Sequence, residues 1–139
     1  MIVADVNLVA ALVLGGPDAR LAQQVLERDA VWAAPLLWRS EFRSILAAYM
    51  RQRGLGASDA WRAHELAEQL LAGREYGVGG ERVLQLVAGS DCSAYDCEYV
   101  ALADVLGVSL VTSDKQVQRS FPALALDPRK FLARGGGRR

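Results

Sequence analysis

Histidine and cysteine are nearly absent from this chain: one and two, respectively, among 139 residues. Cys92 and Cys97 are too few and too oddly spaced for a disulfide framework or a zinc site, and they read as reduced thiols of a cytosolic protein. The lone histidine, His64, sits among helix formers and reads as a surface residue. With so few candidates, no Ser, His or Cys nucleophile triad can be assembled convincingly. No apolar run reaches the ~18 residues needed to span a membrane. No basic segment followed by a long apolar stretch opens the chain, so no secretion signal is expected. Net charge is zero, and the overall balance carries no electrostatic mark of a nucleic-acid binder.

What the chain has is a core and an uneven distribution of charge. Hydrophobic residues make up 52% of it, with three tryptophans, so it is not a disordered chain. Its length fits one domain able to bury roughly two-thirds of its unfolded surface. We expect that domain over residues 1–133, followed by a basic, disordered tail at 134–139. From Val83 to Asp114 the charges are all acidic: Asp91, Asp96, Glu98, Asp104 and Asp114. Beyond them come Lys115, Arg119, Arg129, Lys130, Arg134, Arg138 and Arg139, with Asp127 the one acid. This order either sets a cation site beside a phosphate-binding rim or is ordinary surface charge with a basic tail.

Short apolar strands alternate with helices. Residues 2–5 read as a buried strand, Ile-Val-Ala running into Asp5, with a helix from about Asn7 to Gly15-Gly16. A second helix is expected at 17–29, a strand at 31–34 stopped by Pro35, and a helix at 36–53 closed by Gly54. That helix carries an apolar stripe of Trp38, Phe42, Ile45, Leu46, Tyr49 and Met50. Further helices are expected at 59–72 with Ser58 as cap, at 81–88, and at 94–106 between Ser93 and Gly107. Strands are expected around 76–78, 108–111 and 123–126. Ser113 and Gln116 have capping-box spacing for a helix starting at Asp114, and a last turn of helix is expected at 128–133. The pattern predicts an α/β fold: three layers around a central parallel sheet of four to five short strands. In such sheets ligands bind beyond the carboxyl ends of the strands, at the topological switch point.

Four acids lie where that fold could bring them together: Asp5, Glu41, Asp96 and Asp114. Three have a plain alternative role. Asp5 can cap a helix, Asp96 can pair with Ser93 in a capping box, and Asp114 can sit in a helix's first turn. Glu41 and Asp96 also border apolar helix faces, where a carboxylate loses solvation and needs a partner or a metal. A hard divalent cation, Mg²⁺ or Mn²⁺, suits an all-oxygen donor set. Asp5, Asp96 and Asp114 could hold one or two such ions, with Glu41 binding the second or orienting a water. The ion would strengthen water as a nucleophile and stabilise charge on a phosphoryl oxygen.

The segments Val-Ala-Asp5-Val-Asn7, Glu41 early in its helix, Ser93-Ala-Tyr-Asp96-Cys-Glu-Tyr-Val-Ala-Leu-Ala103 and Leu-Val-Thr112-Ser-Asp114-Lys115 together resemble the PIN-domain ribonucleases, specifically the VapC-type toxins of bacterial toxin–antitoxin pairs. The likeness covers essentially residues 1–133. It implies a PIN-like fold and a cytoplasmic, metal-dependent endoribonuclease with Asp5, Glu41, Asp96 and Asp114 as its acid quartet. Asn7, Thr112 and Ser113 match polar positions that assist the site. It also implies a homodimer and a small cognate antitoxin that carries a DNA-binding domain and inserts an arginine among the acids. Ala4 departs from many relatives, which have an acid or another residue there.

Among the basic residues, Lys115 beside Asp114 is the best placed for RNA phosphate contact, alone or with the basic tail. Arg39 and Arg43 flank Glu41 at i−2 and i+2, and their mild repulsion would be relieved by phosphate, an acidic partner or solvent. Three rivals remain at this stage. A signalling receiver domain would need paired acids after its first strand, and only Asp5 is present. A non-catalytic module could use the same acidic pocket to hold an Arg-rich partner. A DNA nuclease or phosphatase would use the same metal chemistry, since nothing in the chain reads a 2′-hydroxyl unambiguously.

Overall fold

The computed structural model describes residues 1–134. It is an α/β chain with the order β1 (Ile2–Ala4), α1 (Val6–Leu14), α2 (Ala19–Arg28), β2 (Trp32–Pro35), α3 (Trp38–Arg53), α4 (Ala57–Leu70), β3 (Glu75–Tyr76), α5 (Gly80–Ala88), α6 (Ala94–Leu106), β4 (Leu110–Val111), α7 (Lys115–Ser120), β5 (Ala125–Leu126) and α8 (Pro128–Ala133). All strand pairs are parallel, in the order β3-β2-β1-β4-β5. Every residue of β1, β2 and β4 is buried, as expected of parallel strands covered by helices. The chain builds outward from β1 through β2 to β3, then crosses to the other side of β1 for β4 and β5. The switch point therefore lies between β1 and β4, whose register pairs Val3 with Leu110 and Ala4 with Val111.

Two helix groups flank the sheet. Helix α6 packs on β1, β2 and β4 and against α5, whereas α1 packs with α2, α3 and α4, and α8 with α2. The α3 stripe divides by depth. Trp38, Phe42 and Leu46 enter the core, Ile45 and Tyr49 are half-buried, and Met50 is exposed. Gly54 and Gly107 close α3 and α6 with φ of 70° and 69°, left-handed values that favour glycine at a helix end.

Several local expectations are corrected. His64 is 4% exposed: its ring stacks between Trp38 and Trp61, with centroids 5.8 and 5.7 Å away, and Nδ1 lies 3.2 Å from Glu68 Oε1. Its helix presents that face to α3, which its own spacing could not reveal. Tyr95 and Tyr99, one turn apart at the start of α6, part company: Tyr95 is 64% exposed and Tyr99 4%. Helix α4 begins at Ala57 with no side-chain cap, so Ser58 does not start it. The cap of α7 is Asp114 rather than Ser113, because the Asp114 carboxylate accepts from the Val117 N–H. Strand β2 includes Pro35, whose missing N–H falls at the strand's last residue. Of the expected tail, Arg134 follows α8 with helical backbone, and 135–139 lie outside the described residues.

Candidate functional site

The four acids reach one end of the sheet by different routes. Asp5 leaves β1 and occupies the N-cap place of α1, but its side chain makes no cap bond. Its Oδ2 instead accepts from Thr112 Oγ1 at 3.0 Å. Thr112 follows β4, is buried, and its Oγ1 also accepts from the Asp114 N–H at 3.1 Å. Asp114 Oδ1 accepts from the Val117 N–H at 3.0 Å. One threonine hydroxyl thus links the acids that follow the two strands at the switch point.

The other two acids stand on helices. Glu41 lies in the first turn of α3 beside buried Phe42, and its Oε1 accepts from the Tyr99 hydroxyl at 2.7 Å. Asp96 lies in the first turn of α6, where Ser93 Oγ accepts from its N–H at 3.0 Å. The Asp96 carboxyl in turn has hydrogen bonds to the Ser93 side chain and backbone, the reciprocal pairing that the capping-box spacing predicts.

The electrostatics tie these groups together. Burial pushes the Asp5 carboxyl above its ordinary range, opposed by Thr112 and the Val6 N–H and reinforced by repulsion from Asp96 and Asp114. Burial also raises Glu41, with the Tyr99 bond opposing and Asp5, Asp96 and Glu98 reinforcing. Asp96 is raised by burial, partly offset by Ser93, with Asp114 adding repulsion. Burial and the neighbouring Glu41 drive the Tyr99 phenol well upward, so it remains a donor. None of the four acids has an ion pair among the described residues.

A cleft of about 470 Å³ opens beside two of the four acids, lined by Asp5, Asn7, Ile45, Tyr49, Ser113 and Asp114 among others, while Glu41 and Asp96 lie outside its lining. Asn7 and Ser113 are exposed at its wall. As they stand, no group of three or more His, Cys, Asp or Glu side chains among the described residues is drawn tightly enough to hold a metal ion. The donor chemistry fits a hard cation: all oxygen, and partly desolvated by burial at Asp5, Glu41 and Asp96.

The basic residues divide. Arg39 is engaged: its guanidinium grips Glu75 at 2.6 and 2.9 Å and Glu68 at 2.6 Å, so of phosphate, acidic partner and solvent it is acidic side chains of this chain that it meets. Arg43 is exposed and lines a separate apolar groove with Met50, Trp61 and His64. Lys115 reaches Asp127 at 3.2 Å, with its side chain largely exposed. Sequence reasoning did not assign Tyr99 or Glu98 to the site. Their spacing was the available signal: Tyr99 is three residues from Asp96, on the same helix face.

No family model matches the chain. It is 37% identical over 116 residues to a VapC ribonuclease of Mycobacterium bovis and to ribonuclease VapC9 of Mycobacterium tuberculosis, covering 82% of this chain and 86% of each relative. In fold it resembles a toxin–antitoxin complex from Klebsiella pneumoniae, with a TM-score of 0.70, 18% identity and coverage of 92% of this chain and 98% of that one. It also resembles FitAcB from Neisseria gonorrhoeae, with a TM-score of 0.71, 17% identity and coverage of 93% and 99%.

Proposed function

The chain belongs to the VapC ribonuclease family, and on that premise we propose that Asp5, Glu41, Asp96 and Asp114 form the site at which it cuts RNA. The observation that supports this reading is the mutual repulsion among four carboxylates near the sheet's switch point, none of which has an ion pair among the described residues. The function is that of an endoribonuclease toxin hydrolysing phosphodiester bonds. Asp5, Asp96 and Asp114 would hold Mg²⁺ or Mn²⁺, with Glu41 completing the set. A bound divalent ion supplies charge stabilisation at the phosphoryl oxygens and activation of water. The protein's own part is placement: Thr112 fixes Asp5 and the α7 cap fixes Asp114. Glu41 would orient the attacking water. Asn7 and Ser113 on the cleft wall offer hydrogen bonds to the substrate, and the largely exposed Lys115, next in sequence to Asp114, offers a charge to phosphate.

The partner is a cognate antitoxin, in keeping with the toxin–antitoxin complex among the structural neighbours. A cluster of carboxylates is receptive to a guanidinium, which can bind a carboxylate bidentately, so an inserted arginine is the proposed off-switch. The proposal includes a homodimer and an antitoxin with its own DNA-binding part. A binding-only role for the same pocket is favoured by one observation: among the described residues, no three such side chains stand close enough together to hold a metal ion.

Incubating the partner-free chain with cellular RNA separates the two. Discrete cuts are expected with Mg²⁺ or Mn²⁺ and none with EDTA. Asp96→Asn should lower the rate by at least the 10–100-fold typical of groups that only support metal ligands. Cleavage surviving Asp5→Asn together with Asp96→Asn would overturn the assigned site. Absence of cleavage with tight binding of an Arg-rich peptide would support the binding module.

A further inference from the structure

Tyr99 is 4% exposed, and a phenylalanine would fill its place without bringing a hydroxyl into the interior. A buried phenol needs a hydrogen-bond partner, and its partner is Glu41 Oε1, 2.7 Å away and 58 residues distant in sequence. Half-buried Glu41 is repelled by Asp5, Asp96 and Glu98. Without a donor, those charges would push its carboxylate out of the site. Tyr99 lies one helical turn beyond Asp96 on α6, which packs directly on β1 and β4. One rigid helix therefore carries an acid of the site and the donor that holds another.

We infer that Tyr99 is a positioning residue of the nuclease site: its phenol anchors Glu41 Oε1 so that Oε2 is presented to the divalent cation or its water. This rests on the proposed cation role of the acid quartet and adds a residue that touches neither metal nor substrate. Hydrogen-bonded supports of metal-binding side chains typically alter metal affinity 10–100-fold when removed.

The test is calorimetric titration of Mn²⁺ into the full chain, in wild type, Tyr99→Phe, Glu41→Gln and the double variant. Tyr99→Phe is expected to weaken Mn²⁺ binding 10–100-fold while retaining the far-UV spectrum and the melting temperature in EDTA. The double variant should bind no more weakly than Glu41→Gln alone. Wild-type affinity in Tyr99→Phe overturns the inference. So does an equal further loss in the Glu41→Gln background, because the phenol would then act through packing. Lack of Mn²⁺ binding by wild type removes the cation role itself, and this inference with it. Should Tyr99→Phe fail to fold, tyrosine-labelled wild type answers the same question by NMR. The Tyr99 Cζ resonance should move on adding Mg²⁺, with Tyr76 as a reference that stays in place. An unmoved Tyr99 resonance overturns the inference.

Discussion

Asp114 does two jobs with one carboxylate, and a single atom separates them. Its Oδ1 caps α7 through the Val117 N–H, and the same side chain contributes repulsion to Asp5 and Asp96. Asparagine caps helices about as well as aspartate, whereas alanine loses about 1 kcal/mol. Asp114→Asn is therefore expected to hold wild-type stability in chemical denaturation yet lose metal-dependent cleavage. Asp114→Ala should lose both. If Asp114→Asn cuts RNA at the wild-type rate, Asp114 is a cap and nothing more. Asp5 differs, since its carboxylate makes no N-cap bond to α1 and accepts instead from Thr112.

At the scale of elements, the start of α3 is clamped two residues before Glu41. Arg39 bridges Glu75 on β3 and Glu68 on α4, and Trp38 Nε1 donates to Glu75 at 2.6 Å. The guanidinium holds both glutamates below their ordinary 4.5. A depressed folded-state value favours folding above the unfolded value, and that contribution disappears as pH falls through the folded value. The clamp therefore works at neutral pH and weakens progressively below about 4.5. Partial exposure limits it to about 1 kcal/mol or less. Wild type minus Arg39→Met stability, from urea titrations at pH 7 and pH 3, should shrink toward zero at the lower pH. A difference unchanged between the two would place Arg39's contribution in its packing on Trp38, whose ring centroid lies 5.6 Å from the guanidinium carbon.

For the whole molecule, the site's repulsion is a cost that a cation removes. A ligand that binds only the folded chain stabilises it by RT ln(1 + [L]/Kd), about 2.7 kcal/mol at one hundred times Kd. Mn²⁺ should raise the melting temperature of the wild type and leave that of Asp5→Asn/Asp96→Asn unmoved. An equal rise in both would locate the ion elsewhere. In EDTA at neutral pH, the double variant should melt no lower than wild type, since it loses two like charges.

Much of the fold was legible along the chain because its signals are local. Ser93 and Gly107 bound α6, Asp127-Pro128 starts α8, and Gly54 ends α3, each through the backbone of its own helix. The alternation of apolar strands and helices pointed to a parallel α/β sheet, and the family-like segments pointed to four acids. Only tertiary structure decided which groups meet. Thr112 reaches Asp5 across 107 residues, and Tyr99 reaches Glu41 across 58, because β4 pairs with β1 and α6 packs across both. It also decided that His64 is interior and Tyr95 exposed. Caps and periodicities act within a few residues, so sequence carries them. Burial, and the partner of a buried hydroxyl, depend on which distant element covers a given face, and only the packed chain determines that.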